Sequence, residues 1–283
     1  MKKFIKKWKQ ASAFDITSNA MIVFLCVVSI FPIYWMLTSS LKYSSDVVKI
    51  PPDWIPRHIT VQNYIRMFQE NPMVRWIANS VSVTAFTIVG VVLVSSAAGF
   101  ALSKMDFYGK RLINAFVISA LLVPMEIYII PLYKEIVEFG WKGPYWAYIL
   151  PNIAMPFGVY LMKNFYDSIP NEIIEAASVD GCNKIHFFFG FGIPLSKSGI
   201  AALAILTGIR TWNNYIWQLL AASSSQSSYT LPVGIAKLFA DPLNLDYGVR
   251  FAAATVSALP LFLVFFAFQK FFTEGVSAGA VKG

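Results

Sequence analysis

Charged residues are scarce in this 283-residue sequence, and the shortage extends over its whole length. Asp, Glu, Lys and Arg together make up 13% of the chain, whereas hydrophobic residues make up 57%. Soluble domains carry about 25% charged residues. This composition excludes an ordinary soluble protein and also a soluble domain with one anchor, and it predicts several membrane spans.

Residue types that commonly carry out chemistry are also few. The two histidines, His58 and His186, are distant in sequence and are predicted to lie on opposite sides of the membrane, which argues against a shared metal site. Cys26 falls in an apolar run and Cys182 in a polar segment, which argues against a structural disulfide. A phosphate-binding Gly-x-x-x-x-Gly-Lys-Ser/Thr motif is missing, so we expect neither ATP hydrolysis nor a bound cofactor in this chain.

The apolar runs predict an all-α polytopic membrane protein with six transmembrane helices. The expected spans are Ile16–Leu41, Trp76–Ser103, Leu112–Leu132, Tyr145–Phe165, Ser198–Ala222 and Phe251–Phe272. The fourth is the weakest because Pro151, Asn152 and Pro156 interrupt it. We expect an N-terminal segment 1–15, a transmembrane domain 16–272 with a polar loop at about 167–195, and a C-terminal tail 273–283.

The net charge is +8, and in so apolar a chain basic residues are expected to set the membrane orientation rather than to bind nucleic acid. They cluster in the N-terminal segment and after the second span, at Lys2, Lys3, Lys6, Lys7, Lys9, Lys104, Lys110 and Arg111. Both segments lie on one side if six spans are present. That side, with the N-terminus, the polar loop and the tail, is therefore predicted to be cytoplasmic.

The polar loop predicts two short helices that meet at a glycine. Pro170 suits a helix start and Gly181 a helix stop, while Glu172 and Glu175 complement the positive end of the helix dipole. A second helix is expected at about 183–191, with Ile185, Phe188 and Phe189 on one side and Pro194 ending it. Two interpretations stay open: the loop binds a groove on a soluble partner, or it lies as an amphipathic hairpin on the membrane surface.

The order Glu175-Ala-Ala, Asp180-Gly181 and Ile193-Pro-Leu195 resembles the coupling loop of ATP-binding-cassette importer permeases of the carbohydrate-uptake type. Other matching segments are Pro32-Ile-Tyr-Trp-Met-Leu-Thr-Ser-Ser-Leu-Lys42, Asn79-Ser80, Pro131-Leu-Tyr133, Pro156-Phe, Tyr160-Leu-Met162, Trp212-Asn213 and Gly279-Ala-Val-Lys-Gly283. The resemblance implies a non-catalytic permease subunit in the cytoplasmic (inner) membrane of a bacterium or archaeon, which moves an oligosaccharide or related sugar.

The same resemblance implies the partners and the residues that meet them. A second, related permease chain would form a heterodimer with this one, two ATPase subunits would bind ATP and Mg, and an extracytoplasmic solute-binding protein would deliver the sugar. The expected ATPase-coupling residues are Glu172, Glu175, Ala176, Ala177, Asp180 and Gly181. The tail residues Gly279, Ala280, Val281, Lys282 and Gly283 are expected to reach between the ATPase subunits, although their composition alone favours a frayed terminus.

Polar residues inside the apolar runs are candidates for the substrate pathway. Glu126 and Arg210 are ionisable groups in expected spans, where such groups mark pathways, buried pairs or span ends. Asn213, Asn214 and Tyr215 follow Trp212 in span five, either along the pathway or in an interfacial aromatic belt, which would also include Trp217. A secondary transporter would normally show internal repeats, and a membrane enzyme would show clustered His, Asp or Cys. The need for a separate ATPase separates these classes.

Overall fold

The computed structural model describes residues 13–143, 145–240 and 245–280, and no β-strand occurs among them. The residues 1–12, with their lysines, and 281–283, with Lys282, lie outside the described part. The helices are α1 (Ala13–Ser40), α2 (Ser44–Val47), α3 (Gln62–Glu70), α4 (Met73–Lys104), α5 (Lys110–Ala120), α6 (Met125–Glu138), α7 (Tyr145–Ile153), α8 (Pro156–Asp167), α9 (Asn171–Val179), α10 (Lys184–Phe187), α11 (Ile193–Leu195), α12 (Lys197–Trp212), α13 (Ile216–Ala221), α14 (Leu231–Ala240) and α15 (Tyr247–Ala280). The all-α membrane fold is therefore confirmed.

The number of membrane spans is only approximately that expected. Among the described residues, three helices, at Thr17–Ser40, Met73–Lys104 and Tyr247–Phe268, are long and apolar enough to cross a bilayer, and two bent helix pairs raise the number to as many as five. The first pair is α5 with α6, bent by 102°, and the second joins the segment Lys184–Leu195 to α12 with a bend of 74°. The expected fourth span is divided into α7 and α8, neither of which is long enough alone.

Proline explains where two of these helices are interrupted. Pro124 precedes α6, and Pro156 is the first residue of α8. A proline has no N–H to donate to the helix and disfavours helical backbone in the residue before it. Accordingly Met155 is extended, with φ −102° and ψ 100°. Pro32, Pro131, Pro151 and Pro260 instead lie inside continuous helices.

The chain divides into two compact units, one made of residues 1–71 and 238–258 and the other of 72–237 and 259–283. In the first unit, the Asp246 carboxylate accepts hydrogen bonds from Ser44 and Arg66 and from the Val249 amide, so it caps the start of α15. The Lys42 side chain is buried, lies over the Trp35 ring at 4.3 Å, and is thereby removed from solvent.

In the second unit, α4 is the central helix and packs against α7, α8 and α12. Small residues let α4 approach α8 closely: a Cβ on Gly99 would lie 2.8 Å from the Lys163 amide nitrogen, and a Cβ on Gly158 would lie 2.4 Å from Ser95 Oγ. Close approach through small residues is a common way of packing helices in membranes. A buried cluster at one end of this packing includes Val91, Phe100, Met155, Met162, Tyr166, Ile169, Phe187 and Leu203. This cluster supports the polar loop.

Candidate functional site

The polar loop, residues 167–195, forms two helical segments joined at a glycine turn, as the sequence predicts. Helix α9 ends at Val179, and Gly181 has a φ of +82°, a value that favours glycine. The Gly181 amide donates to Ser178 O at 3.1 Å and the Cys182 amide to Ala177 O at 2.9 Å, which satisfies carbonyls at the helix end. Nothing lies within 4 Å of a Cβ at Gly181, so backbone conformation and not space calls for glycine.

The second helical segment differs from the expected single helix ended by Pro194. It consists of α10, a π-helical turn at Phe188–Gly192, and α11, in whose first turn Pro194 lies. Proline is tolerated in a first turn because no intrahelical N–H bond is required there. The helical path therefore continues through Pro194 and ends at Leu195, one residue after the expected stop, where a bend of 74° separates it from α12.

The loop has an inner face that packs on the buried cluster and an outer face that is open. Ala177 and Phe188 belong to the inner face, and Phe188 lies 5.1 Å from the Phe100 ring, centroid to centroid. Phe188 is therefore half-buried, whereas Ile185 and Phe189, with which the sequence had grouped it, are exposed. The reason is that the Phe100 and Tyr166 rings offer an apolar surface for Phe188. The Phe188 and Phe189 rings nevertheless stay in contact, with their centroids 4.9 Å apart.

The outer face combines acidic and apolar side chains. Glu172, Glu175, Ala176, Asp180 and Gly181 are all exposed, whereas Ala177 is only partly so. Beside them are the apolar side chains Val179, Ile185 and Phe189, with exposed fractions of 88%, 69% and 64%. Exposed apolar groups rimmed by polar ones are typical of interaction sites. We call this surface the docking face: Glu172, Glu175, Ala176, Val179, Asp180, Ile185 and Phe189.

The structure places the expected pathway residues in several different environments. Asn213 ends α12, where its Nδ2 donates to Ile209 O at 2.9 Å, and Asn214 Oδ1 accepts from the Trp217 amide at 3.2 Å. Both side-chain amides therefore form hydrogen bonds with backbone groups near helix ends. Tyr215 is 40% exposed, whereas Trp217 is buried and its Nε1 donates to Ala147 O at 3.0 Å.

Glu126 and Arg210 do not form an ion pair within the described residues. Glu126 is exposed in the first turn of α6, directly after the bend, and not in the middle of a continuous span as the sequence suggested. Arg210 is exposed near the end of α12. The α5–α6 break makes the difference, because it converts the centre of an apolar run into a helix start.

A cleft in the second unit collects polar groups, of which the sequence had selected only Arg210 as a pathway candidate. Its lining comprises Thr87, Met125, Tyr128, Leu132, Pro151, Asn152, Ala154, Met155, Pro156, Thr207, Arg210 and Thr211. The cleft lies where α5–α6 and α7–α8 are interrupted, and Asn152 Nδ2 donates to Tyr148 O at 2.7 Å. The sequence signals for it were Arg210 in an expected span and Asn152 between two prolines in an apolar run.

Metal-binding clusters are not found in the described ranges: no group of three or more His, Cys, Asp or Glu side chains is placed to hold a metal ion. The C-terminal helix α15 continues to Ala280, so Gly279 and Ala280 are its last residues. The expected contact residues Val281, Lys282 and Gly283 lie outside the described residues.

Long apolar helices, broken spans and a polar loop with a solvent-facing surface define a polytopic membrane transport protein. The chain belongs to the family described as the binding-protein-dependent transport system inner membrane component, whose model matches residues 90–278.

Similar proteins cover nearly the whole chain. The arabinooligosaccharides transport system permease protein AraQ of Bacillus subtilis (strain 168) is 31% identical over 277 residues, covering 97% of this chain and 98% of that protein. AraQ of Halalkalibacterium halodurans is 32% identical over 263 residues, covering 92% and 94%. A solved bacterial ABC transporter involved in the import of the acidic polysaccharide alginate shares the fold, with a TM-score of 0.81 and 22% identity over 92% of this chain and 96% of that chain.

Proposed function

We propose that this chain is the transmembrane permease subunit of an ATP-binding-cassette importer that moves an oligosaccharide or related sugar. The observation that carries the proposal is the docking face, held on a buried core in a chain of this transport family. A solute-binding protein delivers the sugar, and separate ATPase subunits drive the movement. Relatives named as permeases for arabinooligosaccharides and for diacetylchitobiose support this substrate class.

The charge of α9 favours a protein partner over the membrane surface. Helices that lie on membranes usually carry Lys and Arg on their polar face, which anionic lipids attract. Helix α9 carries Glu172 and Glu175 and has no Lys or Arg. An acidic face would be repelled by an anionic leaflet, so the docking face fits a groove on an ATPase subunit better.

Each member of the expected coupling set has a role in this proposal. Glu172, Glu175, Ala176 and Asp180 meet the ATPase directly, since their side chains are exposed. Gly181 sets the angle between the two helical segments. Ala177 acts differently from the others: it packs inward and holds α9 on the buried cluster.

The sugar pathway in this proposal includes the polar cleft in addition to Asn213, Asn214, Tyr215 and Glu126. Hydroxyl, amide and aromatic groups suit sugars because they hydrogen-bond hydroxyls and stack on rings. The cleft offers such groups at Tyr128, Asn152 and Thr211, next to the breaks in the helices.

The assembly and orientation follow from the same proposal. This chain pairs with a second, related permease, two ATPase subunits bind ATP and Mg, and this chain binds no cofactor. The chain lies in the inner membrane of a bacterium or archaeon. Its N-terminus and its docking face lie on the cytoplasmic side of that membrane. The segment around Gly279–Gly283 reaches toward the ATPase subunits.

A cross-linking and uptake experiment tests the proposal. In a chain whose Cys26 and Cys182 are replaced by Ser, Ile185→Cys should cross-link to the ATPase subunit in the whole complex. Tyr108→Cys is the control, because Tyr108 is fully exposed but lies on the loop before α5. Sugar uptake by proteoliposomes should require ATP, the ATPase subunits and the binding protein. Uptake driven by an ion gradient without the ATPase would identify a secondary transporter instead.

A further inference from the structure

The beginning of the polar loop is fastened to the end of α4 by one lysine. Lys104 is the last residue of α4, and its Nζ donates to the backbone oxygen of Ile169 at 2.7 Å and to Asn171 Oδ1 at 2.8 Å. Asn171 is the first residue of α9. The ammonium group of Lys104 therefore holds both the segment that leads into α9 and the first residue of α9.

A neighbouring carboxylate ties α4 to the end of α8. Ser103 Oγ donates to Asp167 Oδ1 at 2.6 Å, and Lys163 Nζ donates to Asp167 Oδ2 at 2.6 Å. Burial by itself would raise the pKa of Asp167, but these hydrogen bonds and the nearby lysines outweigh it and lower the pKa. The carboxylate is therefore ionised at neutral pH, and both of its oxygens are occupied.

Together these contacts form a junction of three helix ends, which we call the loop junction: Ser103, Lys104, Lys163, Asp167, Ile169 and Asn171. Hydrogen bonds to ionised groups are stronger than neutral ones and have well-defined geometry. A rotation of α9 must therefore carry the ends of α4 and α8 with it or break such bonds. Thr87 on α4 and Pro156 on α8 also line the polar cleft.

We propose that Lys104 is a positioning residue that transmits movement of the docking face to α4 and α8, and through them to the polar cleft. The inference rests on the proposed function, in which the docking face follows the ATPase subunits. Without the ammonium group, α9 would still pack on the buried cluster through Ile174 and Ala177. The loop would therefore keep its fold and its partner but would move more independently of the spans.

The chain provides a matched control for Lys104. Lys110 lies nearby, but its Nζ is 3.4 Å from Ser103 O and 3.6 Å from Asp106 Oδ1, in a pair whose acidic partner is almost fully exposed. Exposed ion pairs of this kind contribute little. Lys110→Met therefore removes an equal charge at the same end of α4 without cutting the link to α9.

The experiment measures the amount of sugar transported per ATP hydrolysed by the complete complex in proteoliposomes. Lys104→Met should lower this ratio by about tenfold, the effect of losing hydrogen bonds to a charged group. Lys104→Arg, which keeps the charge and the hydrogen-bond donors, should restore most of it. Lys110→Met should match the wild type.

Other outcomes distinguish this inference from a structural role and from a failure of the proposed function. If Lys104 only stabilises the fold, Lys104→Met lowers the yield of complex while sugar per ATP stays at the wild-type value. Asn171→Ala removes one acceptor of the Lys104 ammonium group and keeps the lysine. It should cause a smaller fall in sugar transported per ATP, and it therefore tests the contact between α4 and α9 even if Lys104→Met does not assemble. An unchanged ratio in both variants overturns the inference, whereas failure of Ile185→Cys to cross-link to the ATPase overturns the proposed function.

Discussion

At the scale of single residues, the most demanding position of the polar loop is Gly181. Its φ of +82° is costly for most residues, whereas the space around it is open. Position 181 therefore requires a residue that tolerates positive φ. A larger side chain would fit in the space but would disfavour this backbone conformation. Asn enters this region more readily than β-branched residues do.

We expect Gly181→Val to abolish ATP-driven uptake while the chain still reaches the membrane. The left-handed conformation costs a non-glycine residue about 1–2 kcal/mol, so the turn and the angle between α9 and α10 should change. Gly181→Asn should retain most activity, because Asn tolerates positive φ. Uptake assays with membrane-level controls measure both, and equal uptake in the two variants would contradict this prediction.

The pathway residues offer a second comparison at this scale. Asn213 and Asn152 each donate to a backbone carbonyl four residues earlier, and Asn152 also lines the polar cleft. Asn213→Leu and Asn152→Leu should each lower uptake or change the preferred sugar without preventing assembly. A lost hydrogen bond matters by about 0.5–1.5 kcal/mol, so partial defects are expected.

Kinetics with several sugars and purification of the complex would measure these effects. Trp217→Phe is the contrasting variant, because Trp217 is buried and serves the core: it should lower stability and leave the order of sugar preference unchanged. If Trp217→Phe changed the order of preferred sugars and neither Asn variant did, Asn213 and Asn152 would not belong to the sugar pathway.

At the scale of elements, the close packing of α4 on α8 depends on glycine. A Cβ at Gly99 would lie 2.8 Å from a backbone nitrogen of α8, which cannot move aside as a flexible side chain can. Gly190, in the π-helical turn, has its nearest outside atom, on His186, at 3.9 Å. A side chain at position 99 would therefore clash with the backbone of α8, whereas a side chain at position 190 has room.

We expect Gly99→Ala to destabilise the purified protein by about 1–3 kcal/mol, the usual cost of overpacking. Gly190→Ala should have a much smaller effect, because its Cβ meets only an ordinary contact. Thermal unfolding of both variants in detergent measures the difference. Equal melting temperatures would show that α4 and α8 can separate at little cost.

At the scale of the whole molecule, the C-terminal end remains a prediction about assembly. Helix α15 runs to Ala280, beyond the expected end of the sixth span at Phe272. We expect deletion of residues 276–283 to weaken ATPase binding or to uncouple hydrolysis from transport, with membrane insertion unaffected. The measurement is stimulation of ATP hydrolysis by loaded binding protein, and wild-type stimulation in the truncated form would make the end dispensable.

The sequence by itself determined the membrane class and the position of the polar loop. A bilayer core excludes charges and requires every backbone group to be hydrogen-bonded within a helix. Apolar runs and their interruptions can therefore be recognised from the sequence alone. The stop at Gly181 was equally local, because the left-handed conformation belongs to one residue. The family match over residues 90–278 agrees with what these motifs indicated.

Only the tertiary structure decided which side chains of the loop face outward and which groups share the cleft. Helix α9 has apolar residues on more than one side, so its inner face was settled by contact with the cluster around Phe100, which holds Ala177 and Phe188. Residues distant in sequence, such as Asn152 and Arg210, come to line one cleft because broken helices pack against α4. Such neighbours depend on the packing of whole helices, which local residue patterns do not specify.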